Sequence, residues 1–472
     1  MEFLNNVVTV MNDLLWAKVL IVMLITLGIY FTIRTNFVQF RYFGEMFRLL
    51  GDGTKDKKEG SVSSFQAFCI STASRVGTGN IAGIATAIVA GGPGSVFWMW
   101  LIALIGSASS FVESTLAQIF KVKDEESYRG GPAYYIEQGL GSKKMSVLFS
   151  VLITVCFGFI FNAVQSNTVT VAFNNAFGLN RLAVGIILAI VTGIVIFGGV
   201  HRVAKISEVI VPVFAVLYIL VSLFIVVMNI TELPHVIQLI FKEAFGFREM
   251  GVGTMMGIIL VGVKRGLFSN EAGMGSAPNA AAAAEVTHPV QQGLIQSLGV
   301  FTDTIVICSC TAFMILLYPG YATSGAEGIE LTQAALSAHI GPIGNIFIAV
   351  CILLFAFSSI VGNYYYGQSN IEFMSGKKTT LNVFRAMVVG MVIFGSVAKV
   401  QLVWDLADLF MGLMAVINLI AIALLGKYAF AALDDYSAQK KNGIKDPVFD
   451  ASNIKGLENI ECWTEETEEK AV

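Results

Sequence analysis

The residues Ser74 to Gly83, SRVGTGNIAG, interrupt an otherwise apolar segment running from about 64 to 90. Glycines at Gly77, Gly79 and Gly83 each weaken a helix by about 1 kcal/mol relative to alanine and let the chain open without a Cβ clash. An opened helix frees N–H and C=O groups. Lipid has no partners for them, so a break inside a membrane persists only where protein, water or a ligand supplies them. The new N-terminal end, at Thr78 and Gly79, presents amides with partial positive charge, suited to a carboxylate. The carbonyls of Ala73 and Val76 form the opposite end, suited to a hard cation such as sodium. One break is thus predicted to hold both. The competing reading is close helix packing through small residues.

Outward from this stretch, the chain is consistently apolar. Its 472 residues are 55% hydrophobic and 13% charged, with a mean hydropathy of +0.73, against the roughly 25% charge of a soluble domain. Segments of the roughly 20 residues needed to cross a bilayer recur along most of the length. A barrel would show alternating segments of about ten residues, whereas Leu182 to Phe197 and Val209 to Met228 are almost continuously apolar. The predicted class is an all-α polytopic membrane protein. Its expected spans, about eleven, are 16–34, 64–90, 94–120, 146–176, 181–200, 205–228, 250–274, 290–318, 342–374, 380–398 and 402–430.

Without the first span, ten remain and divide as five plus five. The helix opening the second set is broken by KRGLFSNEAGMG, Lys264 to Gly275, which carries Asn270 and Glu271. Breaks at corresponding places in two halves point to an inverted repeat with a site between the halves. The expected organisation is an extra N-terminal helix (1–35), a basic loop (36–62), and a core (63–430) with repeats at about 63–228 and 250–430. A polar tail (431–472), ending in ECWTEETEEKAV, is expected to lack structure.

Orientation follows the basic loops. Arg41, Arg48, Lys55, Lys57 and Lys58, then Lys121, Lys123, Arg129, Lys143 and Lys144, then Arg202 and Lys205, then Lys377 and Lys378 mark one face, while the segment from Gly320 to Ile340 has no basic residue. This predicts an outside N-terminus and a cytoplasmic tail in a plasma-membrane protein. The six cysteines lack paired spacing and the four histidines are scattered, so no metal beyond sodium, no cofactor and no nucleic-acid partner is expected, only a small solute and membrane lipid.

Polar residues inside the spans support a ligand site. Gln165, in FNAVQSNT, has Asn162 and Asn167 close by, too many amides for lipid exposure. Gln165 can donate to a carboxylate, accept from an ammonium, or make an interhelical hydrogen bond. Ser358 and Ser359, in FAFSSIVGN, are adjacent hydroxyls that with freed carbonyls would make a sodium site, or else bond back to their own helix. Arg75, Glu113, Glu271 and Asp303 are charges at depth, where an unpaired ion costs at least about 2.5–3.5 kcal/mol. Arg75 and Glu271 each sit in a break, so a gate or a mutual ion pair is expected, or a structural pairing at the membrane boundary.

The stretches RVGTGNIAGIATAIVAGGPGSVFWMW and KRGLFSNEAGMGSAPNAAAAAEVTHPVQQG closely resemble the alanine or glycine:cation symporter family, from the first span to the last. The resemblance implies sodium-driven amino-acid uptake on the ten-helix inverted-repeat fold of leucine transporters, plus one extra helix. It implies substrate carboxylate at the Thr78 and Gly79 amides and sodium at Ala73, Val76, Ser358 and Ser359. Asn80, closing the break, would lie beside substrate or ion, with Gln165 and Asn270 facing the substrate. Family members that carry alanine or glycine typically place a tryptophan shortly after the serine pair; here FSSIVGNYYYG puts Asn363 there. A short amide for an indole enlarges the pocket and adds a donor and an acceptor, which favours glutamine over alanine or glycine.

Other classes fit less well. A channel would show repeated pore loops or rings of like residues, and an enzyme would bring a nucleophile and base to the break. Proton coupling is the alternative within transport, with Glu271 as the natural carrier.

Overall fold

The computed structural model describes residues 2–53, 62–124, 127–198, 200–246 and 255–463. It is 81% helical, with one short antiparallel hairpin pairing Val122 with Arg129 and Lys123 with Tyr128. Among the described residues, eight helices are long and apolar enough to cross a membrane: Val7–Arg34, Gly94–Ile119, Lys143–Phe177, Arg202–Met228, Pro289–Leu316, Ile343–Met374, Lys378–Val397 and Val400–Lys441. Two interrupted helices, Ser64–Arg75 with Gly79–Gly91 and Met255–Asn270 with Ala277–Ala283, and the shorter Arg181–Ile196 fall at the remaining expected spans.

Local chemistry places the ends. Ser63 and Gln66 form a reciprocal capping box at the start of the first interrupted helix. Asn180 caps Arg181–Ile196, its side chain accepting from Ala183 N, and His288 caps the helix opened by Pro289. Burial separates centre from rim. The hydrophobic windows of Gly94–Ile119, Lys143–Phe177 and Pro289–Leu316 are 67% buried, against 28% in Arg202–Met228 and Lys378–Val397. The latter two show the lipid-facing pattern, apolar and outward. The N-terminal helix lies along the last one, where Trp16 Nε1 donates to Asp408 O at 3.1 Å and Asn12 Nδ2 to Asp405 O at 3.0 Å.

One expected segment, the tail, needs correction, and two others hold helices that the sequence reading did not address. Helices Val38–Arg41 and Phe43–Asp52 fill the first part of the basic loop; Lys55, Lys57 and Lys58 lie outside the described residues. The tail, expected to lack structure from 431, instead continues as helix to Lys441 and then packs back: Phe449 and Ile454 are buried, Phe449 N donates to Thr287 O at 2.9 Å, and Trp463 Nε1 donates to Gln118 O at 2.9 Å. A few apolar anchors suffice here because the rest of the membrane domain supplies the surface they bury against. Residues 464–472, with most of the acidic end, lie outside the described residues. Finally, the segment from Gly320 contains helix Gly328–Ile340, which packs on the first break.

Candidate functional site

The first break spans Val76 to Thr78. Val76 leaves the helix at φ −79°, ψ 90°, and the chain re-enters through a wide turn, Gly79–Gly83, before Ile84–Gly91. The groups freed there are met by protein. Gly77 N donates to Asn80 Oδ1 at 3.0 Å, so Asn80 closes the break on itself. Thr311 Oγ1 donates to Asn80 O at 2.7 Å and Thr332 Oγ1 to Ile81 O at 3.1 Å. Partners of this kind are what a break at membrane depth requires.

At the amide end, Thr78 N and Thr78 Oγ1 both donate to Gln165 Oε1, at 3.0 and 2.7 Å. At the carbonyl end, Ser359 Oγ stands 2.8 Å from Ala73 O and 3.3 Å from Val76 O, and also reaches Phe355 O on its own helix at 2.9 Å. Three oxygens therefore converge, and the hydroxyl can turn its proton to Phe355 and offer a lone pair to a cation. Ser358 does not join them; its hydroxyl donates back to Phe355 O at 2.8 Å. Gly77 is required by this closeness: a Cβ there would sit 2.3 Å from Ser359 Oγ and 2.8 Å from Gln165 Oε1. Gly79 faces the ring of Phe268, 2.8 Å from where its Cβ would be. Phe268 in turn lies between Phe161 and Trp404, with ring centroids 4.6 and 4.7 Å away.

The second break is held differently. Glu271 takes a left-handed conformation (φ 57°), as do Gly273 and Gly275. Glu113, noted in the sequence only as a charge at depth, clamps the loop. Its carboxylate accepts from Gly273 N and Gly275 N, each at 3.0 Å, and from Asn418 Nδ2 at 2.7 Å. A protein carboxylate thus serves the freed amides of this half. The amide end of the first break meets a neutral glutamine oxygen instead.

Arg75 and Glu271 do not pair. Arg75 is 1% exposed and gives Nη1 to Gln296 O at 3.3 Å, while its Nε and Nη2 have no hydrogen-bond partner among the described residues. Glu271 accepts from Ser276 Oγ at 2.5 Å and meets Ser74 Oγ at 2.8 Å. The hydroxyls of Ser74 and Ser276 take the carboxylate's reach instead. Asn363 Oδ1 accepts from Ser74 Oγ at 2.7 Å and its Nδ2 donates to Asn162 Oδ1 at 3.1 Å, so in this conformation its amide ties three helices together. Asn270 Oδ1 accepts from Ala272 N at 3.0 Å, and its Nδ2 is buried with no hydrogen-bond partner among the described residues.

Two residues escaped the sequence reading as site members. Asp303 accepts from Asn80 Nδ2 at 2.6 Å, Ser269 Oγ at 2.5 Å and Thr304 Oγ1 at 2.9 Å, joining the first break to the second repeat. Arg265 Nη2 binds Asp408 at 2.6 Å, and its guanidinium lies 4.6 Å from the Trp404 ring centre. Asp303 had a signal, a carboxylate inside an apolar span; the Asp408 partnership had none.

Two facing interrupted helices, each with polar groups converging inside a helical membrane bundle, define a secondary active transporter. The chain belongs to the sodium:alanine symporter family, whose profile matches residues 1–451, and it is a transporter, not an enzyme. It is 59% identical to the probable sodium/glutamine symporter GlnT of Bacillus subtilis, covering 98% of this chain and 96% of that one. To the sodium/alanine symporter AgcS of Methanococcus maripaludis it is 38% identical, covering 94% and 100%. The fold is that of MhsT, solved in complex with L-phenylalanine, at TM-score 0.60 and 16% identity, over 80% of this chain and 93% of MhsT.

Proposed function

We propose that this protein imports a neutral amino acid with sodium, preferring glutamine to alanine or glycine. One observation carries the reading: the two ends of a single break present an amide, Thr78 N, and converging oxygens, Ala73 O, Val76 O and Ser359 Oγ. The substrate carboxylate goes to the Thr78 and Gly79 amides by displacing Gln165. Sodium goes to the three oxygens, and Ser358 contributes only by turning from its own helix. Asn80, Asn270 and Asn363 line the same region. Relatedness to a protein named for glutamine, at 59% identity, supports the substrate; AgcS, named for alanine, is more distant. The basic-loop pattern supports an outside N-terminus and a cytoplasmic tail.

The test is uptake of labelled glutamine and alanine into vesicles with an imposed sodium gradient. Glutamine uptake that stops when potassium replaces sodium, and that unlabelled alanine inhibits only weakly, is the expected result. Full-rate alanine uptake with no effect of glutamine would overturn the substrate assignment.

A further inference from the structure

Glu271 belongs to no part of the site just proposed, and its surroundings determine more than its position. Its Oε1 lies 2.8 Å from Ser74 Oγ, and the same Ser74 Oγ lies 2.7 Å from Asn363 Oδ1. A serine hydroxyl has one proton to give, yet two acceptors face it.

The far end of the chain decides which acceptor receives it. Asn162 Nδ2 lies 2.9 Å from the backbone carbonyl of Gly158, an atom that only accepts. Asn162 must therefore turn its NH2 to Gly158 and its oxygen to Asn363. Asn363 answers with Nδ2 at 3.1 Å, which leaves its oxygen toward Ser74. Neither amide can be flipped without setting an oxygen against an oxygen. The Ser74 proton then belongs to Asn363. Between Ser74 Oγ and Glu271 Oε1 a proton is still required, because two lone pairs do not meet at 2.8 Å in a buried site. Ser276 supplies the proton on the other side, at Oε2. Glu271, Ser74, Asn363 and Asn162 are all nearly or fully buried.

We propose that Glu271 carries a proton on Oε1 in this conformation, making it a proton-binding site of the carrier, distinct from the sodium and amino-acid positions. With that proton, every link runs one way: Glu271 O–H to Ser74, Ser74 to Asn363, Asn363 to Asn162, Asn162 to Gly158. Other ionisable groups face Glu271 from each packed element. They are Arg75 on the inner half of the first broken helix, Asp303 on Pro289–Leu316, Cys156 on Lys143–Phe177 and Tyr366 on Ile343–Met374. Glu113, on Gly94–Ile119, grips the same loop at Gly273 and Gly275. Among the described residues, none of these has a hydrogen bond to a Glu271 carboxyl oxygen.

The proton has a mechanical consequence. It lets Ser74 bind Asn363, which holds the helix Ser64–Arg75 against Ile343–Met374 beside the contact between Ser359 and Ala73. A proton taken from water onto the carboxylate sets this tie; its loss turns the Ser74 hydroxyl back to Glu271 and frees Asn363. The tied conformation is therefore favoured below the pH at which Glu271 releases its proton and weakened above it.

The experiment is infrared spectroscopy and sodium-driven glutamine uptake on the full chain in liposomes. At neutral pH the wild type should show the C=O band of a protonated glutamic acid, moved by carboxyl-labelled glutamate and missing from Glu271→Gln. Wild-type uptake should fall on the alkaline side by about tenfold per pH unit, the slope of one proton. Glu271→Gln keeps an N–H donor toward Ser74, and its uptake should lose that slope whatever its rate. If Glu271→Gln does not fold, Ser74→Ala replaces it, since removing the acceptor must shift the same band. A glutamic-acid band unchanged in both variants, or a wild-type slope retained in Glu271→Gln, overturns the assignment. Sodium dependence is read in the same vesicles: its absence would overturn the symport reading and leave the proton site standing.

Discussion

Gln165 Oε1 accepts two hydrogen bonds from one residue, the backbone N–H of Thr78 at 3.0 Å and its hydroxyl at 2.7 Å. The amide freed by the first break is already answered by a neutral oxygen, and under the proposed function a substrate carboxylate would have to displace that oxygen. Gln165→Glu would keep the shape, strengthen the hold on Thr78 by charge, and repel an incoming carboxylate. The expected result is a glutamine KM raised at least about tenfold with unchanged expression, or about 1.4 kcal/mol. An unaltered KM would remove this pair from the binding site.

The adjacent serines should behave differently. Ser359 touches both break carbonyls and Ser358 only its own helix. Ser359→Ala should raise the sodium concentration needed for half-maximal uptake by about 10- to 100-fold, in line with the roughly 1.5–3 kcal/mol carried by a polar contact to a charged group. Ser358→Ala should change it less than about threefold. Equal effects would place both hydroxyls on sodium.

The architecture was legible because periodicity and length report burial in lipid directly, and glycine clusters report where a helix opens. The breaks at Gly77 and at Gly273 to Gly275 were both found this way. Partner choice was not legible. That Arg75 makes no ion pair among the described residues while Arg265 holds Asp408 depends on how helices far apart in sequence pack together. The tail misled for a related reason: Phe449, Ile454 and Trp463 are too few to signal a fold alone, but enough to dock on a surface already built.

Gly77→Ala tests the closeness of the break. Its added carbon would lie 2.3 Å from Ser359 Oγ and 2.8 Å from Gln165 Oε1, so both contacts must give way. Transport should fall at least about 100-fold, equivalent to about 2.7 kcal/mol, while helical circular dichroism stays near wild type. Retained transport would mean that the break opens wider in the working cycle than it stands here.

The tail offers a pH-dependent test away from the membrane. Glu45, on Phe43–Asp52, binds Arg48 at 2.8 Å, Tyr436 at 2.7 Å and Lys440 at 3.0 Å. Arg48 also reaches Asp446, beyond the last helix, at 2.9 Å. Burial pushes the Glu45 carboxyl up, but the hydrogen bonds from Arg48, Tyr436 and Lys440 outweigh it and hold the group down at about 2. A carboxylate lowered in the folded protein contributes stability above its ordinary value of 4.5, and that stability is lost as pH falls toward 2. Between about pH 4.5 and 2 the tail should therefore loosen from the helix, read as faster proteolysis near Asp446. Glu45→Gln should show the same cleavage already at about pH 7 and lower the melting free energy by about 1 kcal/mol, because the cluster is partly exposed and water screens it. Cleavage in Glu45→Gln no faster than wild type at neutral pH would mean that Thr287, through its contacts with Pro447 and Phe449, anchors the tail without help from the charges.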